Sequence, residues 1–166
     1  MLSSKDLPPT NALLFGPIGK GWFVNFDQEI AATSSMLSEP PKLLIDIGGH
    51  NGGYSKNFLL KFPDAEIYIF EPSLHNIEHY LKPLATSNRR IKVVGSALSD
   101  VTEEGTLYSD GPGSVYSSLS QRRGGATPIN LNLEEKINII RFDEYWEKNS
   151  SPNSVIDLVK IDVEGY

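Results

Sequence analysis

From Lys42 onward, short continuous apolar runs alternate with segments whose apolar residues recur at helical spacing. "LLIDI", Leu43–Ile47, is apolar but for one acid, the pattern of a strand buried on both faces. Tyr54, Phe58, Leu59 and Phe62 then fall on one helical face, and Pro63 predicts the stop. Ile67–Phe70 reads as a second buried strand. After it, Ser73 is an N-cap candidate for a helix with Leu74, Ile77, Leu81 and Leu84 on one face. Ile91–Val94 is a third strand, and "VIDLVKIDV", Val155–Val163, holds a fourth apolar run. This order predicts an α/β domain: a mostly parallel sheet with right-handed crossovers and helices on both faces.

The pattern divides the chain into a lead-in over 1–41 and a domain over 42–166. The lead-in offers a possible strand at Gly21–Phe26, a short helix near Gln28–Leu37 and a stop at Pro40-Pro41. Between Ser99 and Lys136 the periodicity dissolves into Gly, Ser, Pro and Thr. There "GTLYSD" and "SVYSSLS" suggest a small hairpin and "RRGGATP" a loop. "KINIIRFDEYW" predicts a strand running into a short helix near Asp143. The region is too long for a bare connection and is expected to form an excursion over one end of the sheet.

Composition narrows the function. A net charge of −6 argues against a nucleic-acid partner, which calls for a basic stripe; Arg89-Arg90 and Arg122-Arg123 are the tight basic pairs. With no cysteine, disulfides and thiolate metal sites are excluded. His75 and His79 are four apart, but no carboxylate string accompanies them; they read as an exposed helix face, and no metal site is expected. No basic start precedes an apolar run, and no apolar stretch approaches membrane-spanning length. A soluble cytoplasmic protein is the expectation.

The candidate chemistry lies in "LLIDIGGHNGGYS", Leu43–Ser55, a glycine-rich turn between a buried strand and a helix. Such a turn brings backbone close to a ligand and points helix N–H groups at it. It is not a phosphate loop, because G-x-x-x-x-G-K-[ST] is absent, and "GPIGKG" at Gly16–Gly21 has the wrong spacing. Nor is it the dinucleotide fingerprint, since Asp46 stands where the first glycine would be. A carboxylate there repels a pyrophosphate and suits a cationic ligand. Glu71 follows Gly52 by 19 residues, at the end of the second strand.

The pattern D-x-G-x-x-x-G with an acid ending the second strand resembles class I S-adenosylmethionine-dependent methyltransferases. "LLIDIGGHNGGYS", "IYIFEPS", "IKVVGSALSD", "IIRFDEYW" and "IDLVKIDVEGY" together resemble, in order and approximate spacing, the FkbM-type methyltransferases from Lys42 to Tyr166. "FEP" plus "KIDVEG" is the most specific part. The resemblance implies a Rossmann-like fold, S-adenosylmethionine as cofactor, and O-methylation of a hydroxyl on a small molecule, sugar or glycolipid acceptor. One departure is in the loop: the family usually has D-x-G-A-N-x-G, and Gly49 and His50 stand at the A-N positions here. The other is length. The family's sheet continues for three more strands, and a chain ending at Tyr166 is expected to lack those C-terminal strands and part of the substrate pocket.

In a doubly wound sheet, ligands bind outside the carboxyl ends of the strands. The expected cofactor site is therefore Asp46 with the loop Gly48, Gly49, His50, Asn51 and Gly52, then Glu71 with Pro72, then Ser96 and Ala97, then Asp162. The resemblance places adenine near Ser96 and Ala97, and Asp162 at the methionine end or the reacting hydroxyl. Asp162 and Glu164 are the candidate general bases. Lys160, Asp162 and Glu164 share one side of an extended strand, so an ion pair through Lys160 is the alternative use of those charges. Two other readings stay open: a nicotinamide-dependent oxidoreductase, or an inactive Rossmann-like remnant that folds against a partner. Oligomeric state is not legible in the sequence.

Overall fold

The computed structural model describes residues 26–120 and 130–163. The chain divides into two compact units, Met1–Pro41 and Lys42–Tyr166. In the first, helix α1 (Phe26–Ser34) carries Asp27 and Glu29 in its first turn, where they complement the helix dipole. The predicted strand at Gly21–Phe26 falls outside the described residues except for Phe26, which opens this helix.

The second unit carries the parallel sheet. Its strands are β1 (Leu43–Ile47), β2 (Glu66–Phe70), β3 (Ile91–Val94) and, after the elements described below, β8 (Leu158–Ile161). They stand in the order β3-β2-β1-β8, and all three pairings are parallel. The crossovers are α2 (Gly53–Lys61) and a helical stretch made of α3 (Leu74–Asn76), a π turn (Ile77–Leu81) and α4 (Lys82–Ser87).

Strand periodicity fixes the two faces of this sheet. Leu43, Ile45, Tyr68 and Phe70 form one face, covered by Phe142, Tyr145 and Trp146 of α5 (Phe142–Asn149). The rings of that contact meet edge to face, with centroids 5.1 Å apart for Tyr68–Trp146 and 5.2 Å for Phe70–Tyr145, the geometry the ring quadrupoles favour. Leu44, Asp46, Ile67 and Ile69 form the other face and are fully buried. Helix α2 lies on that side, joined to the sheet by the Ser55 hydroxyl donating to Asp46. Helices thus cover both faces, as the apolar runs predicted.

The helix after β2 differs from its expected face. Ile77 and Leu81 are buried, but Leu74 is 58 % exposed. The backbone widens to a π turn at Ile77–Leu81, so the spacing of an ideal helix does not hold across it.

The stretch after Ser96, expected as an excursion from the parallel sheet, forms a second sheet. It contains β4 (Ala97–Ser99), β5 (Glu103–Ser109), β6 (Ser117–Ser118) and β7 (Leu133–Arg141), in the order β4-β7-β5-β6. The expected hairpin is the antiparallel β5–β6 pair, and "KINIIRFDEYW" forms the end of β7 and the start of α5. Ala97, Leu107, Ile137 and Ile139 make this sheet's own buried cluster, while Glu134, Lys136 and Asn138 alternate outward. The predicted "RRGGATP" loop, with Arg122-Arg123, lies outside the described residues.

Candidate active site

The strand-one turn is held from behind by an ion pair. In register, Asp46 on β1 faces Lys160 on β8, and neighbours in a parallel pair project to the same side. Lys160 Nζ lies 3.1 Å from Asp46 Oδ1, donates to the Gly48 carbonyl at 3.0 Å, and sits 3.6 Å from Asp162. Ser55 donates to the other Asp46 oxygen at 2.6 Å. Asp46 is fully buried, so desolvation pushes its carboxyl above the ordinary aspartate range, while Lys160 and Ser55 pull it back. Asp46, which the sequence suggests for a cationic ligand, is paired here with Lys160. Its charge faces Lys160 and the underside of the loop, not open space.

The loop glycines answer to packing. Gly48 has φ +77, and a Cβ there would lie 2.1 Å from the Asp162 carbonyl oxygen. The backbone end of β8 therefore lies against Gly48, with the Asp162 N–H donating to the Ile47 carbonyl at 3.0 Å. Gly52 caps α2 in the left-handed conformation with no side-chain bond, and Asn51 accepts from the Gly53 N–H at 3.0 Å to start that helix. His50 is also left-handed, at φ 48.

Glu71 is the hub of the site. It is 6 % exposed and accepts from the His50 N–H at 2.8 Å, the Ser73 N–H at 3.0 Å and the Asn76 amide at 3.2 Å. A carboxylate has about four lone-pair sites, so roughly one remains for a ligand. Ser73 occupies the helix N-cap without a side-chain bond; the Glu71 carboxylate meets its N–H instead.

A cavity of about 140 Å³ opens beside Glu71 at the carboxyl ends of the parallel strands. Its walls bring together Gly48, His50, Glu71, Pro72, Ser96, Ala97 and Asp162, seven of the residues expected at a cofactor site. Gly49, Asn51 and Gly52 shape the turn but do not line the cavity, and neither does Asp46. Glu164 lies outside the described residues. Asp162 presents an exposed side chain, 76 % accessible, at one end of the site. His75 and His79 stack at 4.2 Å, outside this cavity. Among the described residues, no group of three or more histidine or acidic side chains is arranged to hold a metal ion. Nor is any helix among them long and apolar enough to cross a membrane.

More than half of the wall was not read from the sequence. Leu98 and Leu107 enter from the second sheet, and Ser114, Val115, Ser117, Ser118 and Leu119 from the turn between β5 and β6 and just beyond. Asn76 was also missed; it is 2 % exposed, lines the cavity and holds Glu71. The "S-V-Y-S-S-L-S" alternation was visible as a strand signal, but nothing local ties it to residues some seventy positions earlier.

This sheet order, with a glycine turn after β1, an acid after β2 and a cavity at the carboxyl ends of the strands, is that of a doubly wound α/β domain. The family model described as the methyltransferase FkbM domain matches residues 46–166, and the chain belongs to that family. Among solved structures, the crystal structure of methyltransferase FkbM from Methylobacillus flagellatus KT is similar at 15 % identity, with a TM-score of 0.50. The match covers 80 % of this chain and 29 % of that one, so the chain spans less than a third of that protein. No curated protein matches the chain in sequence.

Proposed function

We propose that the domain binds S-adenosylmethionine and supports methyl transfer to a hydroxyl of a small-molecule, sugar or glycolipid acceptor. The observation that carries this reading is the convergence of Gly48, His50, Glu71, Pro72, Ser96, Ala97 and Asp162 on one cavity in a member of the FkbM family.

The residues present fit such a cofactor. Apolar side chains of Phe70, Leu98, Leu107 and Leu119 wall a volume comparable to the ~150 Å³ cavities that take up one aromatic ring. An adenine ring suits that space, next to Ser96 and Ala97. Glu71 retains one acceptor position for a ribose hydroxyl, beside the backbone that Pro72 fixes. The remainder of the cofactor would lie outward along Gly48. With Asp46 neutralised by Lys160, the carboxylate available to a cationic group on that side is Asp162.

The cofactor, when bound, supplies a methyl group already activated by its sulfonium. The protein's contribution is then placement and exclusion of water. Asp162, at the exposed end of the site, is the described candidate to take the acceptor's proton. Such a base is worth roughly 10²–10⁴-fold. Calorimetric titration with S-adenosylhomocysteine tests the reading: saturable binding that Glu71→Ala weakens supports it, and no binding by the folded protein contradicts it.

A further inference from the structure

His50 stands where the family usually carries asparagine, and its side chain makes a contact that asparagine is too short to reach. Its ring Nε2 lies 3.0 Å from the Gly113 carbonyl oxygen, across 63 positions of sequence. A carbonyl only accepts, so the proton of this bond sits on Nε2. The same residue donates its backbone N–H to Glu71 at 2.8 Å. Gly113 belongs to the strap between β5 and β6, which together with the start of the following segment supplies Ser114, Val115, Ser117, Ser118 and Leu119 to the cavity wall. The anchor is specific: Gly113 has φ +71, and a Cβ there would lie 2.8 Å from the His75 ring.

We propose that His50 is a positioning residue that latches the 111–119 strap over the cofactor cavity and slows release of the bound cofactor. The proposal rests on the cofactor reading above for its second half only. The strap supplies Ser114, Val115, Ser117, Ser118 and Leu119 to the wall of the space assigned above to the adenine ring, so a seated strap holds the ring against the strand ends. Opening of the His50–Gly113 bond would loosen that wall and speed the ring's departure. His50→Asn is the informative variant, because asparagine tolerates the left-handed backbone and keeps the N–H to Glu71 while losing the ring. His50→Gln restores an amide donor of longer reach. Gly113→Ala displaces the strap from the opposite end.

Two measurements test the latch. Hydrogen exchange on the unliganded protein should show peptides over 111–119 exchanging about 2–10-fold faster in His50→Asn, the factor one neutral hydrogen bond supplies. The rest of the domain should be unchanged, His50→Gln should recover part of the protection, and Gly113→Ala should lose it. The dissociation rate of S-adenosylhomocysteine, read by stopped flow, should rise by a similar factor in His50→Asn. Unchanged strap exchange, or acceleration spread evenly over the domain, overturns the latch. Faster strap exchange with an unchanged dissociation rate overturns its role in release. A wild-type protein that binds no S-adenosylhomocysteine defeats the cofactor reading, and the exchange arm still decides whether the latch exists.

Discussion

Lys160 Nζ and Asp46 Oδ1 lie 3.1 Å apart on adjacent parallel strands, and through the same ammonium group β8 is joined to the Gly48 carbonyl. The acid ahead of the glycines is thus a structural charge whose partner comes from 114 positions later. It fixes the turn against which the cavity is built.

That pairing makes Lys160→Met strongly destabilising, by about 3–5 kcal/mol, because it leaves a fully buried carboxylate without its partner. The pH dependence follows from the upward shift of Asp46. A carboxyl whose folded value is raised contributes stability that is fully present below the ordinary aspartate range and lost as pH rises through the folded value. Without Lys160 the shift grows, so the gap between mutant and wild type should narrow on acidification. Urea unfolding of both proteins between pH 4 and 8 reads it; a gap independent of pH contradicts the assignment. Asp46→Asn added to Lys160→Met should recover part of the loss.

Gly48→Ala should be far more damaging than a glycine substitution elsewhere. The left-handed backbone costs a side chain about 1–2 kcal/mol, and the Asp162 carbonyl must also move from a Cβ that would sit 2.1 Å away. Gly111→Ala is the control, since a Cβ there meets nothing within 4 Å. Thermal melts of the two should separate by several degrees. Equal melting temperatures would mean β8 does not press on this turn.

The strands were legible because the central pair, β1 and β2, is buried on both faces and so reads as nearly continuous apolar runs. Leu43–Ile47 and Ile91–Val94 match residue for residue. Glycines after β1 and Glu71 after β2 were legible as a site for the same reason: strand ends place them. What escaped was non-local. The second sheet is assembled by pairings such as Gly105 with Ile137, whose partners lie far apart in a glycine- and serine-rich stretch. The exposed Leu74 follows from a π turn that no periodicity signals. Asp46 suited a cationic ligand on chemistry alone, and only the β1–β8 register shows that Lys160 takes its charge.

Glu71 has three structural partners, and the binding role proposed for it can be separated from them. Glu71→Ala leaves the His50 N–H, the Ser73 N–H and the Asn76 amide without their acceptor, so stability should fall on the order of 2–3 kcal/mol. Cofactor affinity of the folded fraction should fall by about one to two powers of ten as well. Glu66→Ala, at the exposed start of the same strand, breaks only an exposed contact to Lys92 and should change neither by much. Loss of stability with affinity intact would reduce Glu71 to a cap of the following helix.

The central claim is that this cavity is an S-adenosylmethionine site, and the most direct test is side-by-side titration of the folded domain with S-adenosylhomocysteine and with NAD. The account predicts one saturable site for S-adenosylhomocysteine and a matching rise in melting temperature, equivalent to about 2.7 kcal/mol at a hundredfold excess over Kd. It predicts no heat and no shift with NAD. Binding of NAD, with none of S-adenosylhomocysteine, would contradict it and turn the same fold toward hydride chemistry.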